Sequence, residues 1–149
     1  MVFDRACLRL NQGHKDLPVM KKKKSLSKLK EEAWSLFSAR LKQRYADDEG
    51  NVRCFTCGAV MKLNTANCQG GHYLSRGGYP GLMFHPDNSR VQDYRCNVHL
   101  HGNTIEFRIR LIEEIGLERV EALEAQRHIQ VKLTRSDYEK MIEELKKCI

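Results

Sequence analysis

Four residues in two short clusters constrain this chain more than anything else in it. Cys54 and Cys57 stand as Cys-x-x-Cys in the run CFTC, and Cys96 follows much later with Asp93 three positions before it. Two thiolates at this spacing can reach one Zn²⁺, because the short loop folds both sulfurs back to a single point. Gly58 directly after the pair supplies the backbone freedom that such a loop needs. Asp93 occupies the place that a second Cys-x-x-Cys would give to cysteine, and a carboxylate is a competent zinc ligand. Cys68, His99 and His101 are rival candidates for the fourth position. The plain alternative is a set of structural cysteines with no metal at all.

Charge adds a partner class. The 149 residues carry 26 Lys+Arg against 19 Asp+Glu, a formal net charge of +7. That excess points to a polyanion, and nucleic acid is the common case for a compact basic protein. Ordinary solubility charge is the competing explanation. No apolar run approaches the roughly 20 residues of a membrane span, and the start lacks the apolar core of a secretory signal. The expected compartment is a reducing cytoplasm, where clustered cysteines serve metal rather than disulfides. Cys7 and Cys148 lie apart from the cluster and read as free thiols.

Residues 1–23 read as a disordered basic leader, with the basic run Lys21 to Lys24 straddling its end and Met20 a candidate natural start. Residues 24–149 read as one domain. Ser25 or Ser27 caps a helix with Glu31 and Glu32 in its early turns. Leu29, Ala33, Leu36, Phe37, Leu41 and Tyr45 recur at helical spacing, with Trp34 on a neighbouring face. The same helix presents Lys28, Lys30, Arg40, Lys42 and Arg44 to solvent or to DNA.

Between the two cysteine clusters, turn signals around Gly77-Gly78 and Pro80-Gly81 predict a β-hairpin or an Ω-shaped loop. HYLS is its outgoing strand and LMFH its return. From about Arg95 the pattern becomes helical, includes an unfavourable Gly102, and reaches a Gly116 cap. C-terminal helices are expected from about 117, over Leu117 to Gln126 and Ser136 to Lys147. Ser136 to Glu139 forms a capping-box pattern. Tyr138, Met141, Ile142 and Leu145 make an apolar stripe that packs either within the chain or on a second subunit.

A Cys-x-x-Cys knuckle, GGHYLSRG with its lone His72, FHPDN, and then RCN running into GN resembles the layout of zinc-stapled HNH nucleases of the His-Me finger class. With KSLSKLKEEAWSLFS before it and RIRLIEEIGLERVEALE after it, the stretch from about Lys24 to Glu124 resembles the phage NinG/Rap recombination proteins. These are described as structure-selective endonucleases acting on Holliday junctions and other branched DNA. Two departures stand out. The family pattern has Cys where this chain has Asp93, and many His-Me fingers carry an acidic metal ligand where Gly71 precedes His72.

The resemblance implies an α+β, predominantly helical fold, with a zinc-bound ββα-metal core flanked by N- and C-terminal helices. It implies His72 as general base, Asn97 as ligand of a catalytic Mg²⁺ or Mn²⁺, and Asn88 as a brace for the hairpin or for His72. His101, one helical turn beyond Asn97, joins the same metal; an exposed polar residue is its bland reading. His85 and Asp87 are further candidates. Arg76, Arg90 and Arg95 would clamp phosphates, with Lys28 and Lys30 adding grip. The expected function is metal-dependent cleavage of branched DNA in the bacterial host, by a homodimer matched to a two-fold junction. A less selective HNH nickase and a non-catalytic zinc-stabilised DNA-binding protein are the alternatives.

Overall fold

Ser25 opens the first element. In the computed structural model, which describes residues 23–147, its side chain accepts a hydrogen bond from the Lys28 backbone N–H and caps α1 (Leu26–Arg44). The expectations for the leader up to residue 22, for Cys7 and for Cys148 fall outside the described residues. Leu29 and Ala33 of α1 are buried against Tyr138 and Ile142 of α4 (Arg135–Lys146). The C-terminal apolar stripe is therefore consumed within the chain. The capping box of α4 is Thr134 with Asp137, two residues before the predicted Ser136–Glu139 pair. The Asp137 carboxylate reaches both the backbone N–H and the hydroxyl of Thr134 at 2.7 Å, closing the box before Ser136 is reached.

After α1 the chain forms a hairpin of β1 (Asn51–Arg53) and β2 (Val60–Lys62), with the CFTC knuckle between them. A second antiparallel pair joins β3 (Cys68–His72) to β4 (Ser89–Asp93), placing Gly71 opposite Arg90 and His72 opposite Ser89. The predicted strands HYLS and LMFH are thus corrected: the outgoing strand ends at His72, and LMFH is not a strand. Gly70 and Gly71 lie inside β3 because neighbouring atoms press on it. A Cβ on Gly70 would meet Ser38 Oγ at 2.7 Å, and one on Gly71 would meet Gln92 Oε1 at 2.1 Å. Residues Pro80–Leu82 and Pro86–Asn88 form 3₁₀ turns instead, led by prolines that cannot donate to a ladder.

The helix predicted from Arg95 is also interrupted. A π-helical turn over Arg95–His99 gives way to three left-handed residues, His101 (φ 49°), Gly102 (φ 88°) and Asn103 (φ 47°). The Gly102 N–H bonds back to the carbonyls of Cys96 and Asn97, ending the turn. α2 (Thr104–Ile115) and α3 (Leu117–Ala125) follow, separated by Gly116 at φ 86°. Phe107, Leu111, Val120 and Leu123 pack there against Tyr73 and Leu82. A second core of Val52, Met61, Cys68 and Val91 surrounds Cys54 and Cys96. The described chain is a mixed, predominantly helical fold with two small antiparallel sheets. Among the described residues no helix is long and apolar enough to cross a membrane.

Candidate functional site

The knuckle between β1 and β2, the end of β4 and the π-helical turn after it bring Cys54, Cys57, Asp93 and Cys96 together. Their ligand atoms all lie within 4.8 Å of one another. Zn²⁺ with bonds of about 2.0–2.3 Å needs tetrahedral edges of roughly 3.5–3.8 Å, so a slight contraction completes the shell. Asp93, rather than Cys68, His99 or His101, supplies the fourth group. Its Oδ2 sits 3.4 Å from Cys57 Sγ, and its Oδ1 accepts the Cys96 N–H at 2.6 Å. Burial opposes ionisation of Asp93, but the Cys96 backbone N–H and the neighbouring thiols hold its pKa below the ordinary value. Burial and thiol neighbours push Cys57 up to about 12. A bound cation would relieve that clustering of donors by taking up thiolates. Cys68 is buried across the ladder from Asp93, and His99 packs edge-on against Tyr94 at 5.1 Å.

Beside this cluster a cavity of about 540 Å³ opens between α1, β3 and the π-helical turn. His72, Asn97, His101, Arg76 and Lys42 all line it, and no carboxylate does among the described residues. His72 stands at the end of β3 with its Nε2 at 2.9 Å from the Met83 carbonyl. A carbonyl oxygen only accepts, so Nε2 carries the proton and Nδ1 keeps its lone pair. Burial holds the imidazole pKa below its ordinary value; the Met83 bond opposes this and the Arg76 charge adds to it. The ring is stacked on Trp34 with centroids 4.5 Å apart, and the Arg76 guanidinium lies 5.7 Å from the same indole.

Asn97 donates its amide to Gln69 Oε1 at 2.7 Å, which turns its own Oδ1 away from that bond. His101 reaches the same cavity through the left-handed turn rather than along a continuous helix. A Cβ on Gly102 would sit 3.4 Å from the His72 carbonyl, so this turn packs directly on the end of β3.

Other predicted residues have different positions. Asn88 is fully buried away from the cavity: it accepts from the Leu74 N–H at 2.7 Å and donates to the Leu74 and Leu82 carbonyls. It braces the loop that follows His72. Arg90 is not a free phosphate clamp, because it is 4% exposed and paired with Glu114 at 2.9 Å. Its Nη1 is held by the Pro86 and Ser89 carbonyls. His85 and Asp87 are engaged in a turn cap and in a pair with Arg119. Arg95 and Lys28 are exposed and Lys30 is half-buried, none of them on the cavity wall. Sequence reasoning missed the contact of Trp34 with His72 and the roles of Gln69 and Lys42 in the cavity. The spacing of Trp34, Ser38 and Lys42, four residues apart on α1, was the available signal.

A family model described as Bacteriophage Lambda NinG protein matches residues 9–149. The chain is similar to protein ninG of Salmonella phage P22, 30% identical over 102 residues, covering 64% of this chain and 49% of the relative. Protein ninG of Escherichia phage lambda is likewise 30% identical over 102 residues, covering 64% and 48%. Protein ninG of Escherichia phage 933W is 35% identical over 75 residues, covering 50% and 36%. The chain thus spans about half the length of the first two relatives, and the match to the third covers less. No solved structure matches.

Proposed function

The chain belongs to the NinG family, and from that premise we propose that it is a metal-dependent HNH-type endonuclease that cleaves Holliday junctions or other branched DNA in phage recombination. The observation that carries this reading is a neutral, tautomer-fixed His72 sharing one cavity with Asn97, His101, Lys42 and Arg76, beside a Cys₃Asp cluster that could hold a metal. Zn²⁺ held by Cys54, Cys57, Asp93 and Cys96 would fix the knuckle to the end of β4, and so the wall that carries Asn97.

Asn97 Oδ1 and His101 are the groups that would hold a catalytic Mg²⁺ or Mn²⁺. Such an ion, when bound, neutralises phosphate charge and stabilises the departing oxygen. His72 Nδ1 takes the proton of the attacking water as its oxygen bonds to phosphorus and the P–O3′ bond breaks. Lys42 and Arg76 hold the phosphate. Phosphate oxygens would complete a metal shell to which this cavity contributes no carboxylate. A symmetric pair of chains would suit a two-fold junction. Since α4 is packed within the chain, the exposed Ile105 and Ile109 of α2 are one apolar surface such a pairing could use. The expected place of action is the host cytoplasm.

A general HNH nickase is the second enzymatic reading. A non-catalytic zinc-stabilised DNA-binding protein is favoured by one observation: Gly71 stands where an acidic ligand is usual, and Gln92 fills the space that its side chain would need. The test compares a four-way junction, a fork, plain duplex and single strand, with Mg²⁺ or Mn²⁺ against EDTA, for the parent and His72→Ala. Junction-selective cuts lost with EDTA and with His72→Ala support the proposal. Equal cutting of all substrates moves the assignment to the nickase, and tight binding without cleavage moves it to the binding protein.

A further inference from the structure

A second groove lies on the adjoining face of α1. It measures about 1020 Å³ and runs between the C-terminal half of that helix, the Phe84–Asp87 turn and the α2–α3 junction. Trp34, Ser38 and Lys42 face the His72 cavity, whereas Phe37, Leu41 and Tyr45 line this groove. Each member of the second set is three residues beyond one of the first, about 60° away around the helix at 3.6 residues per turn. α1 is therefore a ridge between two channels. Arg40 and Arg44, six residues beyond Trp34 and Ser38, lie about 120° round the helix, which at a side-chain diameter of roughly 10–12 Å sets them roughly 9–10 Å from the cavity side.

The groove carries uncommitted positive charge. Its carboxylates, Asp87 and Glu114, are each matched by an arginine, Arg119 and Arg90. Arg40 and Arg44, one turn apart on α1 and both exposed, have no ion-pair partner among the described residues. Below them Phe37 and Phe84 meet edge-on at 5.7 Å and form an apolar floor that sugar rings can cover. Free guanidiniums above an apolar floor complement a sugar-phosphate backbone, whose phosphates take Arg in bidentate pairs.

We propose that this groove binds the backbone of a second DNA arm while the strand to be cut lies in the His72 cavity, with α1 as the divider that selects branched over linear DNA. The proposal rests on the nuclease reading for its substrate, yet it concerns binding. It can be tested without turnover.

The experiment measures equilibrium binding in EDTA for the parent, the double variant Arg40→Gln/Arg44→Gln, and Lys42→Gln. Each is titrated with a four-way junction and with a plain duplex at several salt concentrations. Both arginines are exposed, and a melting temperature matching the parent verifies the fold. The proposal expects the arginine double variant to lose about tenfold in junction affinity. Its salt slope should shrink by roughly 1.8, at about 0.9 per phosphate contact, while duplex binding stays unchanged. Lys42→Gln should weaken both. Equal losses on junction and duplex would overturn the idea, as would no loss on either; the second result would leave the groove to an acidic protein segment. If the arginine variant loses junction preference but the parent cuts nothing, the nuclease reading fails and this inference survives. If the parent cuts junctions and the variant discriminates as well as the parent, only this inference fails.

Discussion

Replacing Gly71 by alanine adds one methyl group at the glycine with the least room for it among the described residues. The new Cβ would lie 2.1 Å from Gln92 Oε1, 2.9 Å from its Cδ and 3.0 Å from its Cγ. Gln92 cannot swing into solvent, because it is fully buried. Its Nε2 donates to Thr56 Oγ1 at 3.1 Å and to the Gly102 carbonyl at 2.8 Å. Those bonds tie β4 to the cysteine knuckle and to the left-handed turn below His101. Moving the side chain strands the Gly102 carbonyl at about 1–3 kcal/mol and takes one bond from Thr56, whose hydroxyl keeps Cys54 Sγ at 3.4 Å, while leaving it in place incurs overpacking of about 1–3 kcal/mol. The cheaper route still destabilises by about 1–3 kcal/mol, a fall of roughly 3–10 °C in Tm for a chain of this length. Urea and thermal unfolding of Gly71→Ala, Gln92→Ala and the double variant form a cycle that isolates the clash. Gln92→Ala removes the obstructing atoms, so Gly71→Ala in that background should be less than about 1 kcal/mol harmful. A single Gly71→Ala variant within 1 kcal/mol of the parent, or an equal loss in both backgrounds, would refute the reasoning.

Three further outcomes are expected. Asp93→Ala should release its metal to a colorimetric chelator faster than the parent and weaken zinc affinity by more than the roughly 10–100-fold typical of losing a ligand's supporting partner; equal release would remove Asp93 from the site. Burial depresses the His72 pKa in the folded chain, so acidification protonates the unfolded state first. The stability held by this group is full above about 6.5 and is lost as pH falls through the folded value. NMR titration should find the His72 ring titrating below that ordinary value, and any cleavage activity should persist to lower pH than an exposed histidine allows. Ile142→Ala should destabilise by about 2–4 kcal/mol, with a Tm independent of protein concentration, since its side chain packs on α1 of the same chain. A concentration-dependent Tm shift would move α4 to a subunit contact.

Features set by neighbours along the chain were legible, and features set by neighbours in space were not. The Ser25 cap, the apolar stripe of Tyr138, Ile142 and Leu145, and the Gly116 cap follow from local hydrogen bonding and helical period. The cysteine pair was legible for the same reason. The strand carrying His72 was misplaced because Gly70 and Gly71 read as a turn. Their lack of side chains instead serves the approach of Ser38, Trp34 and Gln92. Arg90 was misread because nothing near it in sequence reveals Glu114 or the ring of Phe55, 5.4 Å from its guanidinium.

By itself, the sequence determined that this is a basic chain with two clusters of potential metal ligands, a Gly-Gly-His72 motif between them, and helices on either side. Spacing carries that information, since a metal shell or a helical turn needs particular residues at particular short intervals. Only the tertiary structure decided which candidates share one cavity. His72 is set by the Met83 carbonyl and by Trp34, and His101 arrives through a left-handed turn instead of a helix. Asn88 and Arg90 were drawn into the interior, where unpaired polar groups are expensive and both side chains find hydrogen-bond partners. Long-range packing makes that choice, because a side chain's hydrogen-bond partners come from whichever elements the fold lays against it.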